Sequence, residues 1–306
     1  MVTVSASRLL FTADGINAMT GQRAAAEPYA TRFETEVTAI DGRRVRLERS
    51  HFYGASGGQP ADRGTIGGIT VADVRLVDGE QVHVLAEDPS IRPGHRVLCS
   101  VDWSFRMYCM RAHTASHVLV GAARRLFEDA TDAGLEIGPE TAHVDLETTA
   151  TVDDERLLEL DEAVNRVVWE SRPVSWDDVP LSRARDREGV ALDAGADAAV
   201  EGERVRLVTI GDENDRRSGS RLAGSNGAAT PWDVSACGGT HVRNTREIGP
   251  VTVLGSSTPA ENVTRIELAV GPQAIARRTA EKRAAFAATT ALDVALEDVA
   301  AELEQP

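Results

Sequence analysis

The sequence predicts an α+β protein: a small antiparallel β-barrel-like domain, then a two-layer α/β domain, then a short C-terminal helix. Three observations carry this prediction. Short alternating runs separated by turn residues fill residues 28–100. From Phe105 the apolar residues change to a helical period, and strand-like runs return after Val205. Beyond Gly271 the chain is rich in Ala, Leu, Glu and Arg, as a terminal helix would be. A length of 306 residues suits two domains.

In chain order, residues 1–27 carry little periodic pattern and form an unassigned N-terminal extension. Strands are expected over Phe33–Ile40 and Val45–Leu47, joined at Asp41-Gly42, a hairpin signal. A Gly-rich segment from Gly54 to Gly64 follows. Further strands are expected at Ile69–Leu76, Gln81–Leu85 and Arg96–Ser100, the last after a Pro93-Gly94 turn. Met107, Met110, Ala115, Val118, Ala122 and Leu126 keep to one side of a helix ending near Phe127. Leu157, Leu160, Val164, Val167 and Val168 stripe a second helix, Asp153–Ser171, capped by Asp153 or Thr151 and stopped by Pro173. Strands return at Val205–Ile210, Val251–Ser256 and Thr264–Val270, and Arg216–Thr230 reads as a mobile loop. The tail, Gln273–Leu303, reads as one helix. The domains are therefore 1–27, 28–100, 101–271 and 272–306.

No stretch approaches 18 uninterrupted apolar residues, which excludes a transmembrane helix. The N-terminus lacks the charged start and apolar block of a signal peptide. Three cysteines argue against a disulfide scaffold and for a reducing, cytoplasmic setting. Charge is unusual: 48 acidic against 33 basic residues give a formal net charge of −15, and Lys282 is the one lysine. Acid excess with so little lysine matches the composition of salt-adapted proteins, whose carboxylates keep the surface hydrated. Net charge speaks against a nucleic-acid partner, since phosphate binding needs a basic footprint. In concentrated salt that attraction is screened in any case, so charge does not decide the partner.

Chemistry enters at His113-Thr114-Ala115-Ser116-His117. Residues four apart on a helix share a face, so both imidazoles can reach one ion. A second pair, Cys237 and His241, follows 120 residues after His117 with Gly238-Gly239-Thr240 between them. The two glycines suit a tight loop that folds a thiolate and an imidazole around a cation. Three imidazoles and a thiolate make an N/S donor set that favours one zinc ion over magnesium or calcium. Cys109 lies one turn before His113 and could join that face or be an inert buried thiol. Cys99, His51, His83, His95 and His143 have no partner at useful spacing and read as structural or surface residues.

Four ordered motifs resemble the alanyl-tRNA synthetase editing domain and its free-standing relatives, the AlaX proteins. His113–Leu119 resembles the zinc helix, and Cys237–Gly249 the second zinc motif. Gly57–Gly64 resembles the Gly-rich loop; Glu162-Ala163-Val164-Asn165 with Pro173-Val174 resembles the middle helix. The match runs from about Tyr29 to Gly271, and Gly54 stands where the family usually has proline. Since only 28 residues precede the match, the expectation is a free-standing trans-editing enzyme.

The resemblance implies hydrolysis of the ester joining serine or glycine to the acceptor end of tRNA(Ala). It implies His113, His117, Cys237 and His241 as ligands of one zinc per chain, able to polarise the ester carbonyl or activate a water. Four protein ligands close a coordination sphere, so His241 or His113 is expected to be long or displaceable. Thr114, or Ser116, could read the serine hydroxyl or simply bond its own helix backbone. Gln59 could orient the attacking water or the ribose end, or satisfy turn backbone. Asp62 and Arg63 are expected to hold the loop; Arg243 and Arg265 are candidate phosphate contacts. The C-terminal helix is a candidate homodimer contact, and no membrane partner is expected. Two other readings stay open: a tRNA-binding module with a structural zinc, and a metal-dependent esterase of another ester.

Overall fold

The computed structural model describes residues 22–77, 79–186, 190, 200–211 and 231–304. The expected loop Arg216–Thr230 lies outside the described residues. A four-residue helix, α1 (Arg23–Ala26), precedes the first strand. Ala24 and Ala25, which sequence left in an unassigned extension, are fully buried.

Six antiparallel strands then close a barrel: β1 (Arg32–Asp41), β2 (Arg44–Leu47), β3 (Gly64–Ile66), β4 (Ile69–Val77), β5 (Glu80–Leu85) and β6 (Arg96–Val101). The order around it is β1-β2-β5-β4-β3-β6, and β6 returns to pair with β1. Alternation decides the inside. Val37, Val45, Ile66, Val74, Leu85 and Cys99 fill the interior with Phe52, while their sequence neighbours mostly face out. Closure leaves no barrel edge unpaired.

The helix α2 (Trp103–Leu126) begins directly after β6, with Asp102 accepting the Phe105 amide at 3.2 Å as its N-cap. Its middle is buried on all sides from Ala112 to Ala123, which makes it the axis of the larger core. On one side pack α3 (Asp154–Trp169) and a sheet of β7 (Thr131–Ile137), β8 (Ala142–Glu147), β13 (Val251–Ala260) and β14 (Val263–Val270), ordered β13-β14-β8-β7. Asp153 caps α3, accepting from the Arg156 amide at 3.0 Å. Asn165 pins α3 to the sheet: its Nδ2 donates to the Val251 carbonyl and its Oδ1 accepts from the Val251 amide.

A second sheet is built on β11 (Arg204–Ile210). Strand β9 (Val174–Pro180) pairs along one edge, while β10 (Val200–Glu201) and β12 (Asp233–Ala236) share the other. A short helix, α4 (Leu181–Arg185), follows β9. The region expected as a single two-layer unit thus holds two separate four-stranded sheets around α2.

The tail departs from the single helix expected. α5 (Pro272–Leu292) stops at Asp293, which takes the left-handed conformation at φ 55°. Asp tolerates that region better than most side chains, so it works as a C-terminal stop. A 3-10 turn at Leu296–Asp298 then leads into α6 (Val299–Leu303). Among the described residues no helix is long and apolar enough to cross a membrane.

Candidate metal centre

Two segments build the centre. His113 and His117 stand one turn apart on α2, their rings stacked with centroids 5.5 Å apart. The loop after β12 carries Cys237 and His241. The donor atoms of all four side chains lie within 4.8 Å of one another, and all four residues are buried. The Nε2 atoms of His113 and His241 are each 3.2 Å from Cys237 Sγ. Atoms this close can reach one ion through bonds of about 2.0–2.3 Å.

The surroundings turn every ring the same way. His113 Nδ1 donates to Gln59 Oε1 at 3.0 Å. His117 Nδ1 donates to Asp233 Oδ2 at 3.1 Å. Thr114 Oγ1 spends its proton on the Met110 carbonyl at 2.8 Å, so it accepts from His241 Nδ1 at 3.2 Å. Each Nδ1 is thus engaged from outside, which leaves each Nε2 to face the common centre. Such outer partners fix the tautomer and the aim of metal-binding histidines. The donor set therefore fits a metal ion.

Charge agrees with that geometry. Burial alone would keep the Cys237 thiol protonated, but His113, His241 and His117 together hold it well below the ordinary thiol range. A thiolate is the form that binds metal. Burial also disfavours a charged His117, yet Cys237 and Asp233 outweigh it and lift its pKa to about 10, so an ion taken up at Nε2 must displace a proton there. Burial drives His241 down to about 3.

Backbone approach matters at two glycines. A Cβ on Gly239 would stand 2.1 Å from Cε1 of His113, so any side chain there displaces a ligand. Gly58, at φ 75°, lies where a Cβ would fall 1.8 Å from the Leu135 carbonyl oxygen. It holds the Gly-rich loop against β7, where its own carbonyl accepts the Ile137 amide at 2.9 Å.

A cavity of about 200 Å³ opens onto this cluster, with His113, His117 and Cys237 in its wall and Gly57, Gly58 and Leu135 opposite. His241 is fully buried and lies outside the lining. The ligand atoms of His241 and His113 lie within the same 4.8 Å span as those of His117 and Cys237.

Gln59 and Thr114 come to the centre but not to the cavity, so direct contact with a substrate is not the role their placement supports. Both are buried behind the histidines. Gln59 also donates from Nε2 to Thr240 Oγ1 at 2.9 Å and accepts the Thr240 amide at 3.0 Å, so both ends of its amide are held. Ser116 lines the cavity, with its hydroxyl bonded to the Ala112 carbonyl. Asp62 is buried, accepting the Tyr53 amide and pairing with the buried Arg106, and Arg63 lies over the Phe105 ring. Arg265 is taken up in a two-pronged ion pair with Asp145 at 2.7 and 2.8 Å, so it is not poised for a phosphate. Arg243 lies 4.2 Å from the Tyr29 ring centre. Cys109 and Cys99 are buried thiols outside the cluster.

Three contributors escaped sequence reasoning: Asp233, Thr240 and Arg206. Arg206 is almost wholly buried and donates to the carbonyls of Cys237 and Ala25, tying the cysteine loop to α1. Thr240 carried a signal, since it lies inside the Cys237–His241 motif. Asp233 and Arg206 carried none, because strand pairing alone brings them near.

Known proteins place the chain in context. Residues 205–267 match the family described as the threonyl and alanyl tRNA synthetase second additional domain. The chain is 32% identical over 254 residues to an alanine–tRNA ligase of Pyrococcus abyssi, covering 81% of this chain and 26% of the ligase. An alanine–tRNA ligase of Aeropyrum pernix is 33% identical over 265 residues, 85% of this chain and 27% of the ligase. That of Methanopyrus kandleri is 34% identical over 239 residues, 76% of this chain and 24% of the ligase. The chain spans about a quarter of the length of these curated relatives. Kinship with alanine–tRNA ligases, read from four motifs, thus extends over some four fifths of its length.

Proposed function

We propose that this chain, a relative of one portion of the alanine–tRNA ligases, is an aminoacyl-tRNA deacylase acting on serine or glycine wrongly esterified to tRNA(Ala). The observation that carries the reading is the convergence of His113, His117, Cys237 and His241 on one point in the wall of a small cavity. These four residues would hold one zinc ion, which when bound supplies Lewis acidity for ester hydrolysis.

The chain's own residues do the rest. The cavity meets the cluster on the side of His113, His117 and Cys237, so the acyl group enters across that face. A volume near 200 Å³ suits a small aminoacyl group and excludes bulky ones. Gln59 and Thr114 act as positioning residues for His113 and His241. Ser116 and Ser235 both bring hydroxyls to the lining, and in this reading Ser116 meets a serine side chain. In this reading the barrel, residues 28–100, contributes the Gly57-Gly58-Gln59 wall, and residues 101–271 contribute the ligands. The C-terminal helices leave Ile275, Phe286, Leu296 and Leu303 exposed, and a homodimer through them belongs to the same reading.

The test is direct. Purified protein should release serine from seryl-tRNA(Ala) faster than alanine from alanyl-tRNA(Ala). Cys237→Ala should lose zinc and hydrolysis together while the chain stays folded. One observation favours a second reading: four buried protein donors are also the composition of a closed structural site. If Cys237→Ala unfolds the protein and the intact chain never deacylates, the zinc is structural.

A further inference from the structure

The face of α2 that meets the cavity continues past it. His113, His117 and Val120 line the cavity, and Arg124 follows at the next turn of the same stripe, with Arg125 beside it. Arg124 reaches Asp233 Oδ1 at 2.9 Å, the same carboxylate that holds His117. The Arg125 guanidinium lies 3.9 Å from the centre of the Trp232 ring, and that of Arg172 lies 5.1 Å from it. Three guanidiniums therefore collect beyond one end of the cavity in a chain whose net charge is −15.

Their pairing is uneven. Arg172 gives only its Nε to Glu170, at 2.7 Å, unlike the two-pronged pair of Arg265 with Asp145, and Arg124 has Asp233. Arg125 is exposed, and its donors meet only the carbonyls of Gly121 and Pro231; among the described residues no carboxylate forms an ion pair with it. With carboxylates in such excess, a guanidinium left to backbone carbonyls and an indole face is held ready for an anion from outside.

We infer that Arg125 and Arg172, set around Trp232, form a phosphate-binding platform for the RNA backbone beside the cavity. The inference rests on the deacylase reading, because it is the acyl-bearing RNA end that would put phosphates there. Reach fits. Seven to eight residues separate His117 from Arg124 and Arg125, about 12 Å along the helix axis. That distance is a few nucleotides of RNA backbone back from an acyl group held at the cluster. Guanidinium suits this task through its fork of donors and its capacity to stack.

The experiment measures binding of a 5′-labelled, uncharged tRNA(Ala) acceptor-stem hairpin by fluorescence anisotropy across a KCl series, with seryl-hairpin hydrolysis in parallel. Arg125→Gln should weaken binding about fivefold and reduce the slope of log K against log salt by about 1. Arg125→Gln with Arg172→Gln should reduce it by about 2, and Arg125→Lys should restore most of the slope. In hydrolysis KM should rise with kcat retained. Arg265→Gln, which removes a guanidinium already paired with Asp145, should change nothing. Melting curves confirm that each variant is folded. If the wild type binds and hydrolyses the hairpin while the Arg125 and Arg172 variants keep its affinity and slope, the platform is overturned and the deacylase reading stands. If the wild type neither binds nor hydrolyses it, both fall.

Discussion

Gln59 Oε1 lies 3.0 Å from His113 Nδ1 and 3.0 Å from the Thr240 amide, so one side-chain oxygen joins the barrel loop, the helix and the cysteine loop. The amide aims the imidazole. If the cluster holds zinc as proposed, Gln59→Ala should lower affinity for the ion by about 10–100-fold, the usual effect of losing an outer partner of a ligating histidine. Chelator competition on the folded variant measures this; unchanged affinity would show that His113 needs no such support.

Gly239→Ala tests the packing of the cysteine loop. The added methyl would stand 2.1 Å from the His113 ring, too close for either to remain in place. We expect a loss of stability of about 1–3 kcal/mol and loss of stoichiometric metal. Urea unfolding with elemental analysis reads both; a variant that keeps one ion per chain at wild-type stability would contradict the geometry.

The buried Arg106–Asp62 pair should be costly to break from one side. Arg106 also donates to the carbonyls of Pro28 and His51, so it joins the barrel to the start of the chain. Asp62→Ala leaves that cation buried without its carboxylate, at a cost of about 3–5 kcal/mol. Asp62→Ala combined with Arg106→Met should be clearly less damaging than the sum of the two single changes. Additive losses would mean that the pair is not coupled.

His83 gives the barrel a pH dependence of its own. It sits inside the barrel, donating from Nδ1 to the Val45 carbonyl at 3.2 Å and facing Ser50 Oγ at 2.8 Å. Burial lowers its pKa from 6.5 to about 4. The folded state thus binds its proton less readily than the unfolded chain does. Stability from this group is full above pH 6.5 and falls as pH drops towards 4, by about 3 kcal/mol in all. His83→Gln should flatten the change in unfolding free energy between pH 7 and 4.5; an equally steep profile in that variant would assign it to other groups.

Much of this architecture is written in periodicity. The apolar stripes of α2 and α3 and the strands around Val37, Val45, Val74 and Leu85 follow from spacing, because each element buries one regular face. Strand β7 did not show itself: Thr131–Ile137 carries Asp132, Gly134 and Glu136, and only pairing with β8 makes it a strand. Strand β9 holds adjacent Asp177 and Asp178, which mask a β pattern. The four metal-type donors were legible because spacing on a helix and across a glycine turn is local. The roles of Gln59, Asp233 and Arg206 were not, since each depends on a neighbour far away in sequence.

The placement of the donors also constrains when the centre can be completed during synthesis. A growing chain that has produced α2 offers two imidazoles and no thiolate, which is too few to retain an ion firmly. After Leu126, the end of α2, another 111 residues must be added before Cys237 arrives and 115 before His241. In the proposed metal-bound state, firm capture of an ion therefore has to wait until most of the polypeptide, the Gln59 segment included, has been made.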